Sequence, residues 1–114
     1  MTIIHALHLS DCHLRADVEA TVDGMRLDEC LRRLIKKSLQ LQPNVDLVFL
    51  SGNLADDKRL ATFPDIYART EQILAQFFSR DVPMLAVPGN HDALVPFKRQ
   101  FCRNNDFLTT GYTR

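Results

Sequence analysis

Three short apolar runs, residues 3–9, 46–50 and 83–87, alternate along the chain with two stretches whose apolar residues recur at helical spacing. Strands separated by helices are joined by crossovers, which are right-handed and build a parallel sheet. The pattern predicts an α/β fold of order β-α-β-α-β-α with a mostly parallel sheet. Residues 25–41 set Leu27, Cys30, Leu31, Leu34, Ile35 and Leu41 at intervals that fall on one helical face. Arg32, Arg33, Lys36 and Lys37 fall between them. Gln42-Pro43-Asn44 ends this helix, because proline cannot continue it.

Residues 54–61 read as a polar loop. Thr62, with Asp65 three positions on, is the candidate N-cap of a second helix. Ile66, Ile73, Leu74, Phe77 and Phe78 supply its apolar face, and Asp81 breaks it. The third strand is entered through Pro83, where a missing N–H is tolerated. Pro88-Gly89 turns the chain into Asn90-His91-Asp92. A short helix is expected over residues 95–102, followed by an irregular tail, residues 103–114.

A chain of 114 residues is one domain by length. Fourteen basic side chains balance fourteen acidic ones, so nothing pulls it toward nucleic acid or an anionic membrane. The basic face of the first helix carries no interleaved aromatics and reads as exposed surface. No apolar run is long enough to span a bilayer. Cys12, Cys30 and Cys102 lack the spacing of a disulfide framework or a zinc-thiolate site. With no signal-peptide pattern at the start, they point to a reducing compartment, the cytoplasm.

Each strand is followed at once by a polar cluster: Asp11 with His13, Asn53 with Asp56, and Asn90-His91-Asp92. Parallel sheets bind ligands along that edge. Two residues apart in an extended segment, Asp11 and His13 share a face and offer an oxygen and an imidazole nitrogen suited to manganese, iron or zinc. The plain alternative is a hydrogen bond at a strand end. Asn90 has a carbonyl for a hard cation, and His91 can give a proton or meet a phosphate with an acid to set its tautomer. The alternative there is a capped turn, with Asn90 or Asp92 as N-cap. Period two sends Cys12 toward the core. Asp56 either bonds His13 or the loop backbone, or stays solvated beside Asp57. His5 and His8 read as strand residues, and Arg15, Lys58 and Arg59 as surface within possible reach of a substrate phosphate.

"HLSDCHL" at residues 8–14, "GNLAD" at 52–56 and "GNHD" at 89–92 resemble, in order and spacing, the first three signatures of the calcineurin-like metallophosphoesterases. The wording around "SDCHL" and "VPGNHD" is most similar to the branch containing cyclic-nucleotide phosphodiesterases. The resemblance implies half of a metallophosphoesterase-type αββα sandwich and hydrolysis of phosphomonoesters or phosphodiesters, a nucleotide among the candidate substrates. It implies two divalent cations, Mn, Fe or Zn, an activated hydroxide and an in-line attack on phosphorus. Asp11 and His13 would hold the first cation, position 53 would bridge the pair, and Asn90 would hold the second. His91 would contact the phosphate or protonate the leaving group, oriented by Asp92.

Two departures stand against that pattern. The family has aspartate where this chain has Asn53, and one neutral carbonyl oxygen replaces two anionic ones. Weakened or single-metal binding is expected, because two divalent ions would lack compensating charge. All four histidines, His5, His8, His13 and His91, precede residue 92, whereas the family's later ligands are histidines beyond further strands. Residues 1–114 thus read as a single domain matching the N-terminal half of such a fold. Its open sheet edge and apolar face call for cover by another copy, another chain or further sequence. The rival reading is a catalytically silent scaffold or assembly module that keeps the fold; a homo-oligomer completing its sites between subunits is a third.

Overall fold

The computed structural model describes residues 2–101. Its element order is β1 (Ala6–Ser10), β2 (Thr21–Val22), β3 (Met25–Arg26), α1 (Leu27–Leu41), β4 (Leu47–Ser51), α2 (Phe63–Ala75), β5 (Met84–Val87) and α3 (Leu94–Phe101). β1, β4 and β5 form a parallel sheet in that order, with β4 in the centre. Because the strands advance in one direction, right-handed crossovers carry α1 and α2 to the same face.

That face is the core. Leu9, Val48, Leu50 and Ala86 from the strands are buried in one cluster with Leu31, Ile35, Ile66, Tyr67, Ile73, Leu74 and Phe97 from the helices. Side chains alternate across a strand, so the paired set His8, Phe49 and Leu85 looks the other way. None of the three belongs to the buried cluster, and the His8 ring stacks on Phe49 with centroids 4.9 Å apart.

Several boundaries differ from the sequence reading. β1 begins only at Ala6, and Ile3 and Ile4 are exposed, because pairing to β4 starts at Ala6–Leu47. Met25 and Arg26 are not helical. They pair with Val22 and Thr21 in a hairpin whose tip, Asp23-Gly24, has positive φ at both residues, the backbone that an Asp-Gly hairpin turn favours. α1 buries Leu31 and Ile35 but leaves Leu34 and Leu41 exposed, so its apolar face is narrower than the spacing suggested. Arg33, Lys36 and Lys37 are exposed, as the basic face required.

The 54–61 segment is polar only in part. Leu54 and Ala55 are fully buried, and a 3-10 turn occupies Leu60–Thr62. Thr62 makes no side-chain cap for α2; its hydroxyl donates back to the Arg59 carbonyl instead. α2 ends at Ala75, before Asp81, and Phe77 and Phe78 pack from the turn beyond it. α3 starts one residue early, at Leu94; position 102 and the 103–114 tail lie outside the described residues. No helix among the described residues is long and apolar enough to cross a membrane.

Candidate active site

β1 and β4 leave the sheet together. Asp11 N–H donates to the Gly52 carbonyl, His13 N–H to Asn53 and Leu14 N–H to Leu54, all within 3.0 Å, and Asp56 N–H returns to Leu14 at 2.9 Å. Leu14 and Ala55 form a parallel bridge beyond the strand ends. Both segments bend through left-handed backbone to do this: φ is 56° at Asp11, 49° at His13, 76° at Gly52 and 53° at Asn53. Such a conformation costs on the order of 1 kcal/mol at a residue with a side chain, least for Asp and Asn. Asp11 and His13 therefore do not converge by the period of an extended strand. They converge because the backbone is bent at both.

The two side chains do meet. His13 Nε2 lies 3.4 Å from Asp11 Oδ1, while His13 Nδ1 faces Asp56 Oδ2 at 3.3 Å. Asp56 also lies 3.7 Å from His91 Nδ1, so one carboxylate stands beside both imidazoles, whose centroids are 5.5 Å apart. Of the readings left open for Asp56, the structure takes the hydrogen bond to His13. The His91 contact was not anticipated, though Asp56, the one acid of "GNLAD", was its available signal.

Asn53 stands between the loops. Its Nδ2 donates to Asp11 Oδ1 at 3.2 Å, and its Oδ1 accepts the His91 backbone N–H at 2.9 Å. The amide orientation follows from these partners: reversing it would set N–H₂ against N–H and carbonyl against carboxylate. The Asn53 bond, with smaller help from the Ser10 hydroxyl and His13, holds the Asp11 carboxyl below the ordinary carboxylate range. Behind this surface Cys12 packs against the core; burial, with the Asp11 and Asp92 carboxylates nearby, pushes its thiol up to about 11.

The third loop is held differently from the expectation. Asp92 does not turn its carboxylate to the His91 ring. Its Oδ1 accepts from Ala55 N–H at 3.1 Å and from the Tyr67 hydroxyl at 2.9 Å, and its Oδ2 from Gly89 N–H at 2.8 Å and Leu54 N–H at 3.4 Å. The Tyr67 hydroxyl in turn accepts from Ala93 N–H at 3.0 Å. Asp92 thus clamps the 89–93 turn to the 54–55 loop. Nor does it cap α3, whose amides it does not meet in these bonds. Tyr67 is fully buried in α2 and was missed; its seven-residue spacing from Leu74 was the available sign of a core position but not of the task of its hydroxyl. Asn90 is exposed at the tip of the turn.

The donors fit one cation better than two. Bonds of about 2.1 Å at tetrahedral angles set neighbouring donors roughly 3.4 Å apart, the separation of Asp11 Oδ1 and His13 Nε2. Asp56 on the far nitrogen stands where a carboxylate would orient a ligating histidine. The cradle has few protein donors: among the described residues no group of three or more His, Cys, Asp or Glu is gathered to hold a metal. A cation shared at position 53 does not fit, because the Asn53 oxygen already takes the His91 N–H and its other end is N–H₂.

Residues 4–112 match the calcineurin-like phosphoesterase family. A 3',5'-cyclic adenosine monophosphate phosphodiesterase of Pseudomonas aeruginosa is 30% identical over 93 residues, 82% of this chain and 32% of its own length. A 3',5'-cyclic-nucleotide phosphodiesterase of Nostoc is 27% identical over 81% of the chain. A probable glycerophosphodiester phosphodiesterase of Arcobacter nitrofigilis is 26% identical over 83% of it. The chain spans 32% of the length of each of these relatives. With the family match running through all three strand-end clusters, the chain belongs to the calcineurin-like phosphoesterase family.

Proposed function

We propose that this chain carries the first part of a phosphodiesterase site, selective for phosphate diesters such as cyclic nucleotides or glycerophosphodiesters. Asp11 and His13 hold one divalent cation, Mn, Fe or Zn, which when bound supplies Lewis-acid polarisation and lowers the pKa of water. Asp56 fixes the His13 ring and keeps the His91 ring turned toward the same rim. His91, half-exposed, is placed to donate a hydrogen bond to a phosphate oxygen or a proton to the leaving alcohol. Asp92 positions the His91 turn through the backbone, and Asn90 sits beside it as a further oxygen donor. The observation that carries this reading is the convergence of Asp11, His13, Asp56 and His91 from three loops onto one rim, with contacts of 3.3 to 3.7 Å.

Manganese-dependent hydrolysis of bis(p-nitrophenyl) phosphate, run beside metal analysis, tests the proposal. His13→Ala should abolish cation retention and His91→Ala should lower the rate while sparing it. Cation retention unchanged by His13→Ala would refute the assignment. A second reading is supported by Asn53, whose amide is engaged at both ends where the family carries a carboxylate: a chain that keeps the fold and binds without turnover. Bound metal and bound nucleotide with no hydrolysis would favour it.

A further inference from the structure

The amide of Asn53 does at this rim what a shared cation would otherwise do. It touches the Asp11 carboxylate of the first loop through Nδ2 and the His91 backbone of the third through Oδ1, at 3.2 and 2.9 Å. The backbone carbonyl of Asn53 accepts the His13 N–H at 2.9 Å. The side chain also fills the space against Gly89: a Cβ there would lie 2.2 Å from Asn53 Oδ1 and 2.7 Å from Cγ. A carboxylate at position 53 could still accept from His91 but would face Asp11 with like charge, which a cation or a shared proton would have to relieve. An amide presents N–H to Asp11 and needs no counter-ion.

We infer that Asn53 is a neutral strut that replaces a bridging metal, holding the three loops in their working arrangement without any cation and limiting the site to one. The inference deepens the proposed phosphodiesterase site and rests on that reading for the identity of the single cation. The strut itself is carried by the hydrogen bonds alone. It separates two roles that a bridging carboxylate joins, since assembly of the rim no longer depends on metal while binding of the remaining cation still does.

Amide hydrogen exchange in chelator tests the strut in the wild-type chain. The His91 N–H should exchange on the order of tenfold or more slowly than in the unfolded chain, and Asn53→Ala should remove that protection. Thermal unfolding of Asn53→Asp gives a second measurement. Its midpoint in chelator should fall by about 5 °C relative to wild type and recover in millimolar Mn²⁺. Wild type should take up one Mn²⁺ per chain. Equal His91 exchange in wild type and Asn53→Ala, an Asn53→Asp midpoint unchanged in chelator, or two Mn²⁺ per wild-type chain would each overturn the strut. Preserved His91 protection with no Mn²⁺ uptake would support the strut while refuting the one-cation reading of Asp11 and His13.

Discussion

Replacing Asp92 by asparagine changes one oxygen to N–H₂ at almost constant shape, so it isolates the carboxylate's work. Each Asp92 oxygen accepts two donors, Ala55 N–H with the Tyr67 hydroxyl on one side and Leu54 N–H with Gly89 N–H on the other. Whichever way the new amide turns, one pair loses its acceptor and meets another donor. Hydrogen bonds to a charged group contribute about 1.5–3 kcal/mol each. One of the four is long, at 3.4 Å, and the loop can relax, so the net loss is near 3 kcal/mol rather than the full sum of two. Against a domain stability of roughly 5–15 kcal/mol this is a large fraction. Urea unfolding followed by circular dichroism reads it as a lower midpoint at unchanged slope. Tyr67→Phe removes one of the same four donors, so the double variant should lose less than the sum of the singles. A loss in Asp92→Asn below about 1 kcal/mol would refute the clamp. It would return Asp92 to the role of orienting the His91 ring, especially if the pH profile of hydrolysis shifted.

Two further outcomes follow from the same loops. Gly89→Ala should destabilise by about 3 kcal/mol, and Asn53→Ala should not rescue it, because the new Cβ would still lie 2.6 Å from the Asn53 backbone nitrogen; full rescue in urea unfolding would contradict the packing. The Asp57 carboxyl is held below its ordinary value by the backbone N–H of Arg59 and of Ala16, at 3.0 and 3.1 Å. A depressed carboxyl stabilises the fold above its unfolded pKa of about 4 and ceases to do so as pH falls through the folded value. Asp57→Asn should therefore flatten the acid side of a stability–pH curve below about pH 4 and leave its slope near neutrality unchanged.

The alternation of periods was enough to read the parallel sheet, its helices and the edge on which the polar clusters gather, because burial of one helical face and of the sheet leaves a strong pattern. What it did not carry was local backbone geometry. The Asp23-Gly24 turn was a readable hairpin signal, but the apolar spacing from Met25 onward masked it and pulled the helix start two residues early. The left-handed bends at Asp11, His13 and Asn53 arise from pairing between segments some forty residues apart, which no local window contains. For the same reason Leu54 and Ala55 looked like loop until Leu14 was seen to pair beside them. Asp92 was visible as chemistry and misassigned in partner, since three of its four donors are backbone amides and sequence does not show where those point. Asn53 drew notice by its type alone, but the partners of its amide, the Asp11 carboxylate and the His91 N–H, come from two other loops and were not readable from sequence.

β4 lies between the other two strands of its sheet, and β1 is made before it and β5 after it. As the polypeptide emerges from a ribosome, β1, α1 and β4 can close as one βαβ unit while β5 is still unsynthesised. Asp11 and His13 would then already sit beside Asn53, but the amide oxygen would await the His91 N–H. On that order the rim would be completed last, when β5 docks and delivers the final turn. A chain truncated after residue 80 would accordingly show the first pairing and not the second.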